Sequence, residues 1–161
     1  MTVWTRTLCA IAVALLALPA WPAGGGGGGD GSSETPASSN DPDFRAGMAA
    51  AKAKDWPQVL TRMRAVVQRE PNNADAWNEL GHAARQSGDL PSAFAHYDKA
   101  LKIDPRHRGA HEYAGEAHLV AGNVAKAEEH LKALDKLCLL PCEEYTDLKA
   151  AIQRWRKDHP Q

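Results

Sequence analysis

Apolar side chains recur at intervals of three and four residues along most of the chain beyond residue 40, a spacing typical of amphipathic α-helices. The pattern is clearest over residues 74–107, where two apolar stripes follow one another. Each stripe predicts one helix with a single buried face. Their members are Trp77, Leu80, Gly81 and Ala84 in the first stripe and Ala93, Tyr97 and Ala100 in the second.

The boundary between these two helices is marked by Gly88 and Asp89. A glycine after the last helical turn accepts the positive φ angle that often ends a helix. The aspartate that follows caps the next helix, because its carboxylate accepts a hydrogen bond from a free backbone N–H group. Pro91 fits the first turn of that helix, where its missing N–H has no helical partner. The stretch therefore predicts a helix, a tight turn and a second helix.

The same marks return with a period of 34 residues. A fixed period of this length is typical of solenoids, in which one supersecondary unit stacks on the next. The units are expected at about residues 40–73, 74–107 and 108–141. The coinciding positions are Gly47, Gly81 and Gly115; Lys54, Gly88 and Gly122; Asp55, Asp89 and Asn123; Val59, Ala93 and Ala127; and Pro71 and Pro105.

The middle unit resembles the tetratricopeptide repeat family. The family's pattern falls on Trp77, Leu80, Gly81, Ala84, Ala93, Tyr97, Ala100 and Pro105. The outer units depart from it: Asp43 and His111 take the tryptophan position, and Leu139 stands where proline is expected. Atypical end units are common in solenoids. The resemblance implies an all-α fold, an α-solenoid of three helix pairs over residues 43–141.

Residues 142–158 are expected to form one more helix. An apolar face recurs there at spacings of three and four residues. A solenoid needs a last helix with one polar side to cover its open end. We therefore predict a C-terminal capping helix, whose buried face is Tyr145, Leu148, Ala151, Ile152 and Trp155.

The first 23 residues have the pattern of a secretory signal peptide. Arg6 is their only charge, and an apolar run over residues 8–20 is followed by small residues. Cleavage would place the protein in the periplasm or outside the cell. A retained segment would instead anchor it to the inner membrane. Residues 24–42, rich in glycine and serine, predict a flexible linker.

Two cysteines, Cys138 and Cys142, flank Pro141 near the C-terminus. Cys9 lies in the predicted signal peptide and would leave with it. Two cysteines four residues apart across a turn can reach bridging distance, and an oxidising compartment would let them form a disulfide. A redox-active pair, a metal-binding pair and free thiols remain alternatives, although the spacing is not that of the redox C-x-x-C motif.

Charge and motifs exclude several function classes. The chain has 20 acidic and 19 basic residues, so it lacks the basic excess expected of a general nucleic-acid binder. No polybasic segment favours a membrane surface. The sequence shows no nucleophile elbow, no phosphate-binding glycine loop and no framed pair of catalytic carboxylates. We therefore expect neither an enzyme nor a bound cofactor.

Histidines supply the main alternative chemistry. His107, His111 and His118 follow one another at spacings that place them on one helix face, and such a set can hold zinc or copper. His111 and His118, however, occupy core positions of the repeat, and His107 lies in a turn. Packing between helices is therefore the favoured interpretation, and a periplasmic metal-binding protein the alternative.

The family resemblance implies that the first helix of each pair lines a concave groove for a peptide or a helix of a partner protein. A second alternative is an assembly subunit that self-associates. The family's clamp for chaperone C-termini is missing, because its basic and amide positions hold Phe44, Met48, Glu79, Gly109 and Tyr113. The predicted groove residues are Asp41, Phe44, Met48, Lys52, Asp75, Asn78, His82, Arg85, Glu112, Glu116 and Leu119.

Overall fold

The computed structural model describes residues 40–160. The predicted signal peptide and nearly all of the predicted linker lie outside this range. Within it, helices are the only regular secondary structure. They are α1 (Pro42–Lys52), α2 (Trp56–Arg69), α3 (Ala74–Gln86), α4 (Leu90–Ile103), α5 (Arg108–Val120), α6 (Val124–Leu137) and α7 (Glu143–Asp158). No helix among residues 40–160 is both long enough and apolar enough to cross a membrane.

The helices form three consecutive pairs, α1–α2, α3–α4 and α5–α6, and α7 packs against both members of the last pair. The second helix of each pair contacts the first helix of the next pair, α3 also contacts α5, and α5 contacts α7. This architecture confirms the predicted all-α solenoid of three helix pairs with a C-terminal helix.

The turns inside the pairs follow the sequence prediction. Asp55, Asp89 and Asn123 each accept a hydrogen bond from the backbone N–H three residues later, at 3.1–3.2 Å. Gly88 and Gly122 before two of these caps have φ angles of 82° and 76°. In the first pair, Lys54 occupies the equivalent position, and its φ angle is 57°. The local turn conformation is therefore the same in all three units.

The core consists of buried side chains between and within the pairs. Leu80, Ala93, Tyr97 and Ala100 are fully buried, as the two apolar stripes predicted. Gly81 lies directly against the Tyr97 ring: a Cβ atom built there would be 2.5 Å from ring carbons Cδ1 and Cε1. The missing side chain is therefore what lets α3 and α4 approach each other closely.

The chain turns between α6 and α7 at the two cysteines. Cys138 ends α6 and Cys142 precedes α7, and the structure pairs their sulfur atoms with the Cα atoms 5.8 Å apart. Leu139 and Leu140 between them are exposed. Beyond the turn, Leu148 and Ile152 of α7 are buried against Leu119, Ala127 and Leu134. The last helix thus covers the apolar face that the third pair leaves open.

Candidate functional site

The candidate site is the surface formed by α1, α3, α5 and α7, which we call the inner face. Its first part is apolar, because Phe44 and Met48 of α1 are half-buried against the first core cluster. Lys52, at the end of α1, is exposed. All three were predicted groove residues, and the structure leaves part of each accessible to solvent.

The middle of the inner face is aromatic. The His82 ring lies between Trp56 and Tyr113, with ring centroids 5.2 Å and 4.5 Å away. Burial, together with the positive charge of Arg85, lowers the pKa of His82 to about 4. The imidazole is therefore neutral near pH 7 and acts in this stack as a partly polar aromatic group.

An ion pair bridges α3 and α5 beside this stack. Arg85 Nη2 lies 2.8 Å from Glu116 Oε2, and the two side chains are only 13% and 25% exposed. The same guanidinium lies 5.7 Å from the centroid of the Tyr113 ring, within the range of a cation–π contact. These contacts hold Arg85 and Glu116 in fixed positions, and each neutralises the charge of the other.

Beyond the ion pair the inner face becomes strongly acidic. A cavity of about 300 Å³ opens between α3, α5 and α7, and we call it the acidic pocket. The sequence had assigned Glu112 to this end of the groove but not the carboxylates of α7. The lining residues are Asn78, Gly109, Glu112, Tyr113, Glu143, Glu144 and Asp147.

A second cavity, of about 480 Å³, lies further along α5 and α7. It contains three predicted groove residues, Arg85, Glu116 and Leu119, of which the first two form an ion pair, and it adds the apolar ring of Trp155. Its full lining is Arg85, Glu116, Leu119, Val120, Gly122, Ala151, Arg154, Trp155 and His159.

Two carboxyl groups near the acidic pocket have unusual proton affinities. Burial, together with the negative charges of Glu116, Asp147 and Glu144, raises the pKa of Glu112 to about 8. Burial also raises the pKa of Glu79 to about 7, with Asp75 as the next cause. A negative field and low hydration therefore coincide at this end of the inner face.

The raised pKa of Glu112 makes the stability of the fold depend on pH, which can be tested. The folded chain keeps the Glu112 proton to higher pH than the unfolded chain does, so stability is lost as pH rises from about 4.5 to about 8. We expect Glu112→Gln to gain about 1 kcal/mol over the parent by about pH 9 and almost nothing at about pH 4, since water screens a partly exposed carboxylate. Urea unfolding of both proteins across this pH range measures the difference.

The matched control for that comparison is Asp135→Asn, which removes one negative charge from an exposed position on α6. Its stability difference from the parent should not grow with pH in the same way. A Glu112→Gln difference that stays constant across the range would contradict the proposed cost of ionising Glu112.

Two predicted groove residues are more buried than a groove position suggests. Asn78 is 5% exposed and Leu119 is 7% exposed. Leu119 packs into the last core cluster with Leu148 and Ile152. Asn78 lines the acidic pocket, and its amide nitrogen lies 3.4 Å from Glu79 Oε1.

His107 has a structural role. Its Nδ1 accepts a hydrogen bond from the Ala110 backbone N–H at 3.0 Å, so it caps α5. Its other nitrogen, Nε2, therefore carries a proton and lies 2.9 Å from Asp75 Oδ1. Both ring nitrogens are thus engaged, and the contact ties Asp75 of α3 to the start of α5.

Three other histidines, His111, His118 and His130, form a cluster that the sequence did not predict. His111 Nε2 donates to the Pro105 carbonyl, which leaves its Nδ1 to accept from His130 Nδ1, 3.0 Å away. His118 stacks between Phe94 and His130, with centroids 4.5 Å and 5.6 Å away. His130 was missed because it belongs to the next helix, α6.

The structure does not assemble the three histidines of the metal hypothesis, His107, His111 and His118, into one metal site. The structure separates His107, which binds Asp75, from His111 and His118, which pack with His130. Burial lowers the pKa of His130 to about 4, and it lowers the pKa of His111 and His118 as well. Among residues 40–160, no group of three or more His, Cys, Asp or Glu side chains is arranged to hold a metal ion.

Comparison with known proteins identifies the repeat. Two family models described as tetratricopeptide repeat match residues 44–107 and 84–152, which together cover about two thirds of the chain. Human protein O-mannosyl-transferase TMTC3 is 26% identical over 93 residues, covering 56% of this chain and 10% of that protein. Cellulose synthase operon protein C of Escherichia coli K12 is 35% identical over 68 residues, covering 40% and 6%. The chain thus spans a tenth or less of these relatives.

Solved structures share the fold. The TPR2B domain of yeast Sti1, in its pHsp70 complex, superposes with a TM-score of 0.66 at 18% identity, covering 73% of this chain and 95% of that domain. The CopN–Scc3 complex gives a TM-score of 0.58 at 22% identity, covering 71% and 66%. At these identities the likeness establishes the helical architecture alone. From the two family matches and this architecture, the chain belongs to the tetratricopeptide repeat family.

Proposed function

We propose that this protein is a non-enzymatic adaptor, which binds a peptide or a helix of a partner protein on its inner face. The observation that carries the proposal is the pair of cavities between neighbouring inner-face helices, one acidic and one partly apolar. Concave sites with apolar walls and a few placed polar groups are the usual sites of ligand binding. The two structural neighbours, each described as a protein complex, support a protein partner.

The composition of the inner face favours a protein ligand. Tyr113, His82 and Arg85 are only partly buried and are held by mutual contacts, so little side-chain entropy would be lost on binding. Tyrosine and arginine are enriched at protein interfaces, where they supply contact area and directed hydrogen bonds. The half-buried Phe44 and Met48 add an apolar surface at the other end.

We also propose that the protein acts in the periplasm or outside the cell, or at the inner membrane if the N-terminal segment is retained. The apolar N-terminal pattern and the pairing of Cys138 with Cys142 support this location, since an oxidising compartment permits a disulfide. Mass spectrometry of the exported protein after alkylation tests it. We expect neither cysteine to be alkylated before reduction and both to be alkylated afterwards. Free thiols at Cys138 and Cys142 in the exported protein would contradict the proposal.

Site-specific photo-crosslinking of the full chain tests the adaptor proposal. A benzophenone amino acid would replace exposed Lys52 or Arg154, at the two ends of the inner face. Matched controls would carry it at exposed Lys102 or Asp135, on the second helices of their pairs. We expect a protein adduct from the inner-face positions and none from the controls.

The mass of the adduct separates the remaining alternatives. Equal crosslinking from all four positions, or from none, would contradict the inner-face proposal. An adduct with the mass of two copies would instead identify an assembly subunit, an outcome for which the exposed Val120, Leu139 and Leu140 supply apolar surface.

A further inference from the structure

The acidic pocket has an excess of negative charge that the rest of the described chain does not neutralise. Of its four carboxylates, Glu144 has a cationic neighbour, with Arg108 Nε 3.5 Å away. Within residues 40–160, Glu112, Glu143 and Asp147 take part in no ion pair. The nearby Arg85 is already paired with Glu116. Glu143 and Asp147 therefore present carboxylate oxygens that lack a positive partner among the described residues, whereas Glu112, whose pKa is raised to about 8 by burial and neighbouring carboxylates, is mostly protonated near pH 7.

Asn78 supplies a second, independent observation. Asn78 is only 5% exposed, and it lines the acidic pocket. Its amide nitrogen points to Glu79, which fixes the orientation of the group and leaves Oδ1 as the free acceptor. No donor within residues 40–160 bonds to that oxygen. A buried acceptor without a donor destabilises the fold, so a ligand that donates to it would gain affinity there.

These groups define the chemistry of a ligand. Carboxylates and an amide oxygen accept hydrogen bonds, and the partly exposed Tyr113 lies beside them in the pocket wall. The complement is a cation with several N–H donors. A metal ion fits less well, because no group of three or more ligating side chains in the described part of the chain converges on one point. An acidic peptide or a phosphate would be repelled.

We propose that the acidic pocket binds the guanidinium or ammonium group of an arginine or lysine in a basic segment of the partner protein. The proposal rests on the proposed function and names the class of partner. Burial and, after it, the negative charges of neighbouring carboxylates raise the pKa of Glu112, and a bound cation would relieve the repulsion among those charges. This preference has the opposite sign to the family's clamp for terminal carboxylates, whose positions are not retained here.

Short peptides test the proposal directly. The probes are the acetylated, amidated peptide Gly-Ser-Gly-Arg-Gly-Ser-Gly, its lysine counterpart and its citrulline counterpart, which keeps the shape of arginine without the charge. NMR titration of the ¹⁵N-labelled full chain follows the Asn78 side-chain amide and the Gly109 backbone amide. We expect saturable shifts of both signals with the arginine or the lysine peptide and none with citrulline. Equal responses to all three, or no response at millimolar peptide, would overturn the proposal.

Charge-matched variants provide the control. Glu143→Gln with Asp147→Asn removes two exposed carboxylates of the pocket, and we expect about tenfold weaker binding of the arginine peptide. Asp98→Asn with Asp135→Asn changes the net charge equally on α4 and α6, and it should leave the affinity unchanged. An equal loss in both double variants would show attraction to net charge alone and would overturn the proposal.

Failure of the cation site can be distinguished from failure of the adaptor function. If photo-crosslinking from the inner face persists while the basic peptides give no response, the cation site is wrong and the adaptor function stands. If crosslinking is also lost from the inner face, both proposals are wrong.

Discussion

Replacing Leu148 with alanine is expected to lower the free energy of unfolding by about 3 kcal/mol. Leu148 is completely buried, and it lies in the last core cluster with Leu119, Leu134 and Ile152. Its methyl groups rest against the bare backbone of Gly115, where a Cβ atom would be only 2.6 Å from Cδ2. Alanine would leave a cavity at this contact, and α5 and α7 cannot close it without losing their other contacts.

Urea unfolding measures this loss, and Leu140→Ala serves as the control. Leu140 is the same residue type but is 81% exposed in the turn before α7, so its truncation should change stability by less than about 0.5 kcal/mol. A small loss for Leu148→Ala, similar to that of the control, would mean that α7 does not complete the core of the last repeat.

The second large effect is expected from Gly81→Ala. The new Cβ atom would lie 2.5 Å from two carbons of the Tyr97 ring, which is fully buried and cannot move aside. Overpacking of this kind costs about 1–3 kcal/mol or more, and alanine recovers about 1 kcal/mol through its higher helix propensity. We expect a net loss of about 2 kcal/mol, measured by urea unfolding.

Gly47→Ala is the matched control, because it makes the same change at the equivalent position of the first repeat. There the nearest atom is the terminal methyl group of Met63, at 2.7 Å, and a methionine end can rotate away. We expect a change within about 0.5 kcal/mol of zero, as the helix propensity of alanine offsets the remaining strain. Equal effects at Gly47 and Gly81 would contradict the role assigned to the rigid Tyr97 ring.

The sequence determined the helices and their order. The caps at Asp89 and Asn123, the positive φ angles of Gly88 and Gly122, and the buried stripe through Tyr97 were all predicted. They depend on interactions within a few residues, and the period of 34 repeats each of them. Local chemistry that recurs at a fixed period can be read directly from a sequence.

The sequence placed single residues on the inner face but did not assemble the acidic pocket. Glu112 was predicted there, whereas Glu143 and Asp147 were assigned only to a capping helix. The burial of Asn78 and the contact of His130 with His111 and His118 were not predicted either. Each of these depends on side chains that come from different helices.

Only the tertiary structure decided these contacts, because the distance and angle between two packed helices determine which of their side chains meet. Leu148 against the bare backbone of Gly115 brings α7 close to α5, and this places the first turn of α7 beside Glu112. The resulting pocket combines residues from α3, α5 and α7 that are far apart in the chain. Sequence periodicity predicts which face of a helix is buried, but the distance and angle between two helices follow from how their side chains pack.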